Sequence, residues 1–283
     1  MVLAGGVGIG FAPIGLRYGL DELGPQAIAF WRYVFALPIL LALVFLIERR
    51  APRLPNRFIF MAGTFFACDI ALWHHALTLT TVSNATFIVN LGNVLVGFGA
   101  WFFLKQRPHS IWFVAAALAV AGAAALSLGG GADGKGNITG DLFAAGAAFL
   151  VSGYMLCSNI ARRTIGGIEA IFWLTLVEIV VAGAIILVTG ETFMPKTMAG
   201  FGAPLFLALV SQIAGQALIV AGLGRTSAAV AGLLVLIQPV VAAAVSWRLF
   251  DEPLTGLQAS GGLVILFAVW LAQRGRKLRV AVD

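Results

Sequence analysis

The sequence predicts an all-α integral membrane protein: ten transmembrane helices arranged as two inverted five-helix repeats. Three observations predict it. The 283 residues are 60% apolar and 11% charged, with a mean hydropathy of +0.99, which leaves too few polar side chains to cover a water-facing surface. The apolar runs reach the ~20 residues that a helix rising ~1.5 Å per residue needs to cross a hydrocarbon layer of ~30 Å. They are continuous rather than alternating, which argues against a barrel of strands. The third observation is a repeat of the pattern around residues 76–110 in the second half of the chain.

Taken in order, the spans are residues 2–20, 25–47, 58–79, 82–104, 110–128, 140–160, 168–189, 202–222, 226–249 and 255–273. The first holds a GGxGxG pattern from Gly5 to Gly10, suited to close packing or bending, and Pro13, which frees the carbonyl four residues before it. Arg32 lies about two turns inside the second. Asp69 sits midway along the third, followed by His74 and His75; the fourth carries Ser83, Thr86, Asn90, Asn93 and Trp101. The fifth is Ala-rich, and "GGGADGKGN" after it joins the halves. Tyr154 lies in the sixth span, Trp173 and Glu178 in the seventh, Gln212 and Gln216 one turn apart in the eighth, Gln238 and Pro239 in the ninth. The expected units are 1–128, a connection 129–139, an inverted second unit 140–274, and a basic tail 275–283.

Charge sets the orientation. With the N-terminus in the cytoplasm, 13 of the 18 basic residues fall inside, the bias expected of a bacterial-type cytoplasmic (inner) membrane protein with both termini cytoplasmic. That bias explains the pI near 9.9 without nucleic acid as a partner. The expected partners are a small-molecule substrate and membrane lipid; small-residue helix faces give no reason to prefer a homo-oligomer over a monomer. Cys68 and Cys157 fall inside spans as packing residues, and no basic region or cleavage site suggests a removed signal peptide.

Shifting the chain by 146 residues superposes 76–110 on 222–256: Leu77 meets Leu223, Thr80 meets Thr226, Val89 meets Val235, Trp101 meets Trp247, and "KQRP" meets "DEPL". Five helices per half is an odd number, so the second half must lie upside down relative to the first, a construction common in secondary transporters. "GIGFAPIGLRYGL", "PQAIAFWRYVFALPILL" and "QPVVAAAVSWRLFDEPLTGLQASGGLVIL" resemble the EamA-type drug/metabolite transporter superfamily over residues 2–273, and within it the bacterial aromatic amino-acid exporter branch. The resemblance implies export of small metabolites by alternating access. It places Pro239 and Glu252 at family positions of the second repeat and Arg32 at the helix 2 arginine. The chain departs from the pattern at Ile9, Asn93 and Gln106, where the family has tryptophan, proline and glutamate.

The polar residues carry the functional expectation. Ser83, Thr86, Asn90, Asn93, Gly97 and Trp101 step by three and four, making one helical stripe. An amide facing lipid costs several kcal/mol, so the stripe faces either a watery cavity or another helix. The matching positions of the ninth span are apolar, and symmetric adhesion would have left a symmetric trace. His75 shares a small, weakly polar face with Thr64, Cys68, Ala71 and Thr78 and is expected to line the cavity; His74 points to a packing face. Trp101 is a candidate to stack on a ligand, Trp173 is a candidate for the cavity or for an interfacial belt, and Tyr154, Gln212 and Gln216 offer donors and acceptors to it, with helix packing as the alternative. Asp69, Glu178 and Arg32 are candidates for substrate charge or proton coupling, with an Arg32–Asp69 ion pair as the structural alternative. Pro13 and Pro239 are the expected hinges. No metal site, cofactor or catalytic residue is expected: HExxH, G-x-S-x-G and P-loop motifs are missing, and Asp69 and His75 point apart on their helix.

Overall fold

The computed structural model describes residues 1–80, 82–129, 137–250 and 254–280, and the side chains of 1–80, 85–128, 137–250 and 254–274. Among them are ten helices long and apolar enough to cross a membrane: α1 (Val2–Gly19), α2 (Pro25–Glu48), α3 (Arg57–Leu79), α4 (Val82–Leu104), α5 (Ser110–Gly129), α6 (Ile138–Ala161), α7 (Gly167–Thr189), α8 (Met198–Leu223), α9 (Ala228–Phe250) and α10 (Gly256–Val280). The described residues contain no strand.

Local chemistry explains the boundaries. Asn56 caps α3 by accepting from the amides of Phe58 and Ile59, and Asn137 caps α6 through Thr139 N at 2.9 Å. That cap starts α6 before the expected residue 140. Thr197 caps a 3₁₀ turn at Met198–Phe201 that leads into α8, so this helix begins earlier than the sequence suggested. The backbone of α10 runs on to Val280, so most of the expected 275–283 tail continues the helix.

Two helices are interrupted. α1 breaks between Ile9 and Ala12, just before Pro13, and α9 breaks at Leu236, three residues before Pro239. In each case the proline cannot donate to the carbonyl one turn earlier, so the break falls in that turn. Pro38 leaves α2 continuous.

The packing follows a pattern in which each helix of one half has a counterpart five helices later. α3 packs on α6 as α8 packs on α1; α4 on α6 as α9 on α1; α3 on α7 as α8 on α2. The pairs α2–α7, α4–α9 and α5–α10 pack on each other. At the α5–α10 crossing, a Cβ on Gly122 would stand 2.8 Å from the Gly261 carbonyl and one on Gly261 2.6 Å from that of Gly122, so only glycine allows this approach. At the α4–α9 crossing a Cβ on Gly232 would collide with the Asn93 carbonyl.

α2 and α7 run antiparallel, tied at both ends. Where α2 begins, Gly24 N donates to Thr192 O, Gln26 N donates to Glu191 Oε2 at 2.9 Å, and the Trp31 indole donates to Phe193 O at 2.9 Å. Where α7 begins, Glu169 accepts from Arg50 Nη1 at 2.5 Å and Arg53 N at 3.1 Å, and the Trp173 indole donates to Arg53 O at 2.8 Å. Each helix start is thus lashed to the loop that follows the other helix, with an acid at the positive end of the helix dipole.

Candidate functional site

A cavity of about 160 Å³ lies near the middle of the bundle. α1 contributes Ile9, Gly10 and Pro13 at its break; α3 contributes Phe66, Asp69 and Trp73; α4 contributes Thr86, Asn90 and Asn93. α6 adds Tyr154 and Met155, α8 adds Ser211, Gln212 and Gln216, and α9 adds Gln238 and Pro239 around its own break. Arg32 of α2 reaches the same space.

The loops carrying Arg50, Arg53, Arg162 and Arg163 share one end of the molecule, joined through Glu169, Thr164 and the Arg162 bond to Val220 O. Toward that end the wall is closed: Gln216 is 1% exposed, Ile219 2%, Tyr154 3% and Val235 4%. Away from it, Trp73, Thr86, Asn90 and Pro239 are half-buried and Pro13 is exposed. The cavity therefore opens away from the arginine-rich end.

Arg32 is buried, its guanidinium carbon 4.7 Å from the Tyr33 ring centroid and 6.0 Å from that of Phe66, with Nη2 donating to the Tyr33 hydroxyl at 2.9 Å. Among the described residues it forms no ion pair with Asp69; its Nε and Asp69 Oδ1 are both buried without a partner. The structural pairing offered as an alternative is thus not made, because the ring contacts hold the guanidinium instead. On α4, Asn90 Nδ2 donates to Thr86 O at 2.8 Å and Asn93 Nδ2 to Asn90 Oδ1 at 3.4 Å, which leaves Asn93 Oδ1 unpartnered.

Glu178 is fully buried and stands behind the wall rather than on it. Its Oε2 accepts from Gln212 Nε2 at 2.7 Å and its Oε1 from Gln216 Nε2 at 2.8 Å; Gln212 Nε2 also lies 2.8 Å from Thr175 Oγ1.

Three expected wall residues lie elsewhere. His75 is exposed, edge-on to Phe143 of α6 with ring centroids 4.6 Å apart; His74 is the buried histidine, its ring beside Trp73. So close to the end of α3, an imidazole has water within reach and no need of the cavity. Trp101 is 43% exposed beside Phe98 and Phe102, also exposed. Gly97 packs under Trp112 of α5, so beyond that point the α4 stripe turns off the wall. Trp173 is spent on the lashing to Arg53. Ser83 and Glu252 lie outside the residues whose side chains are described. The sequence reading missed Phe66 and Met155, whose apolar character carried no signal, and the acids Glu169 and Glu191, whose partners lie 119 and 165 residues away. The described residues hold no cluster of three metal-ligating side chains.

The model of the EamA-like transporter family matches residues 1–128 and again 138–273. The protein YwfM of Bacillus subtilis (strain 168), described as an uncharacterized transporter, is 24% identical over 225 residues, which cover 79% of this chain and 75% of that one. A solved crystal structure superposes with a TM-score of 0.82 at 17% identity, covering 98% of this chain and 97% of the other, a likeness of fold. With a ten-helix bundle around a polar cavity and the family model matched over nearly the whole chain, this multi-pass membrane protein belongs to the EamA-like transporter family.

Proposed function

We propose that the chain exports small zwitterionic metabolites, aromatic amino acids foremost, across the cytoplasmic membrane by alternating access between two inverted halves, residues 1–128 and 140–274. One observation carries this reading: Arg32, Asp69 and the amides of Asn93, Gln212 and Gln216 surround open space at mid-depth, though a helix bundle in lipid keeps such groups only for a ligand or a partner. The counterpart packing of the halves and the antiparallel α2–α7 pair support the inversion. The aromatic wall of Phe66, Trp73 and Tyr154 supports a ring-bearing solute. Placing the arginine-rich loops in the cytoplasm follows the positive-inside rule and makes this the outward-facing arrangement.

Counterflow in proteoliposomes with radiolabelled amino acids, sugars and quaternary cations tests the reading. A response confined to amino acids is expected, and one confined to sugars or quaternary cations would replace it with another solute class. Initial rates with and without a pH gradient decide whether protons are coupled. Replacing Arg32 with Gln is expected to abolish amino-acid counterflow while the protein still elutes as a folded species in detergent.

A further inference from the structure

We infer that Glu178 is a positioning residue that makes the cavity wall a receptor for a primary ammonium group; the inference rests on the reading of the cavity as a substrate site. An ionised carboxylate only accepts hydrogen bonds. Both oxygens of Glu178 are engaged by amide nitrogens, Nε2 of Gln212 and Nε2 of Gln216. An amide whose nitrogen is committed in this way has its oxygen to offer elsewhere. Gln212 Oε1 and Gln216 Oε1 are accordingly buried with no partner, and both residues line the cavity. The orientation of these amides, ambiguous by shape alone, is the one that an ionised carboxylate behind them requires.

The unpartnered atoms of the wall then divide by chemistry. Asp69 Oδ1, Asn93 Oδ1, Gln212 Oε1 and Gln216 Oε1 are acceptors; Arg32 Nε and Trp73 Nε1 are donors; and the Tyr154 hydroxyl can serve as either. Unmet acceptors at 0–4% exposure are costly unless a ligand brings N–H groups to them. A primary ammonium brings three, with a positive charge to set against Asp69, and the two donors remain for a carboxylate at the other end of the same molecule. A ligand lacking the amine leaves up to three of these oxygens without the N–H groups it would have brought and is rejected for that reason.

The test compares phenylalanine, phenethylamine and 3-phenylpropanoate as ligands of the full-length protein, by calorimetry in detergent and by inhibition of phenylalanine counterflow. The wild type is expected to prefer the two amines over 3-phenylpropanoate by about tenfold or more, the scale of a lost charge-assisted hydrogen bond. In Glu178→Gln the new side chain donates as well as accepts, so one neighbouring glutamine must turn its oxygen away from the ligand. The amine preference is then expected to fall about tenfold while 3-phenylpropanoate changes less than about twofold. A merely structural role would weaken all three ligands together. Gln216→Leu, which removes one acceptor and keeps Glu178, is expected to lower the same preference and serves if Glu178→Gln does not fold. Equal affinity of the wild type for phenylalanine and 3-phenylpropanoate, or an unchanged preference in a folded variant, would overturn the inference and leave the transporter reading standing. No binding or counterflow of any of the three ligands by the wild type would overturn both.

Discussion

The ends of this bundle are alike and its middle is not. At one end the Trp31 indole holds Phe193 O, and at the other the Trp173 indole holds Arg53 O, each at the start of a helix and each aimed at the loop beyond its neighbour. Each end also holds an acid, though from opposite partners: Glu191 in the loop accepts from Gln26 N of α2, and Glu169 in the first turn of α7 accepts from Arg53 N of the loop. Between these ends α3 faces the cavity with Phe66, Asp69 and Trp73, where its counterpart α8 presents Ser211, Gln212 and Gln216. α4 is an unbroken helix with an asparagine ladder, while α9 breaks at Leu236 and offers Gln238 and Pro239 at the break. The difference teaches that the helix contacts correspond at the two ends, while backbone and side chains both diverge where they meet open space. A symmetric wall would hold a symmetric solute, whereas a cation on α2 and acceptors on α3, α4 and α8 suit a molecule with two distinct poles.

Four experiments sharpen or break this comparison. The largest effect is expected at the α4–α9 crossing. Gly232→Val, which forces a branched side chain against the Asn93 carbonyl, is expected to cost about 3 kcal/mol in detergent unfolding. Thr86→Val, 146 residues earlier on the cavity wall, is expected to cost below about 1 kcal/mol. Equal losses would mean that the two positions are not used differently. Next come the acids. Glu169, 1% exposed and bonded to both Arg50 and Arg53, is expected to lose about 2 kcal/mol as alanine, and the half-buried Glu191 about 1 kcal/mol, both from thermal unfolding midpoints. Trp31→Phe and Trp173→Phe remove one indole hydrogen bond each and are expected to cost the same ~1 kcal/mol. A clear inequality would break the correspondence of the ends. The smallest effect is expected of His75→Ala, within about 0.5 kcal/mol of the parent and with unaltered counterflow, since the ring touches Phe143 and not the cavity.

The spans were legible because oil permits little else: continuous apolar runs of ~20 residues fold as helices, and charged loops stop them. The wall positions of Asn90, Asn93, Gln212 and Gln216 were legible for the same reason, since an amide at mid-depth must turn inward. That constraint relaxes toward the membrane surface, where His75 and Trp101 satisfy themselves at the headgroup level, and there helical periodicity gave the wrong address. The lashings were illegible because an acid after "IGGI" and another after a "TG" look like ordinary helix ends until chain segments more than a hundred residues distant are brought beside them.

The Gly232–Asn93 contact has a consequence for leakage. A mirror-image crossing at the opposite end would bring Thr86 against Pro239, and a branched threonine keeps two backbones farther apart than glycine does. The wall is therefore packed more tightly toward the arginine-rich loops than away from them, and in the orientation proposed above leakage is held back at that end.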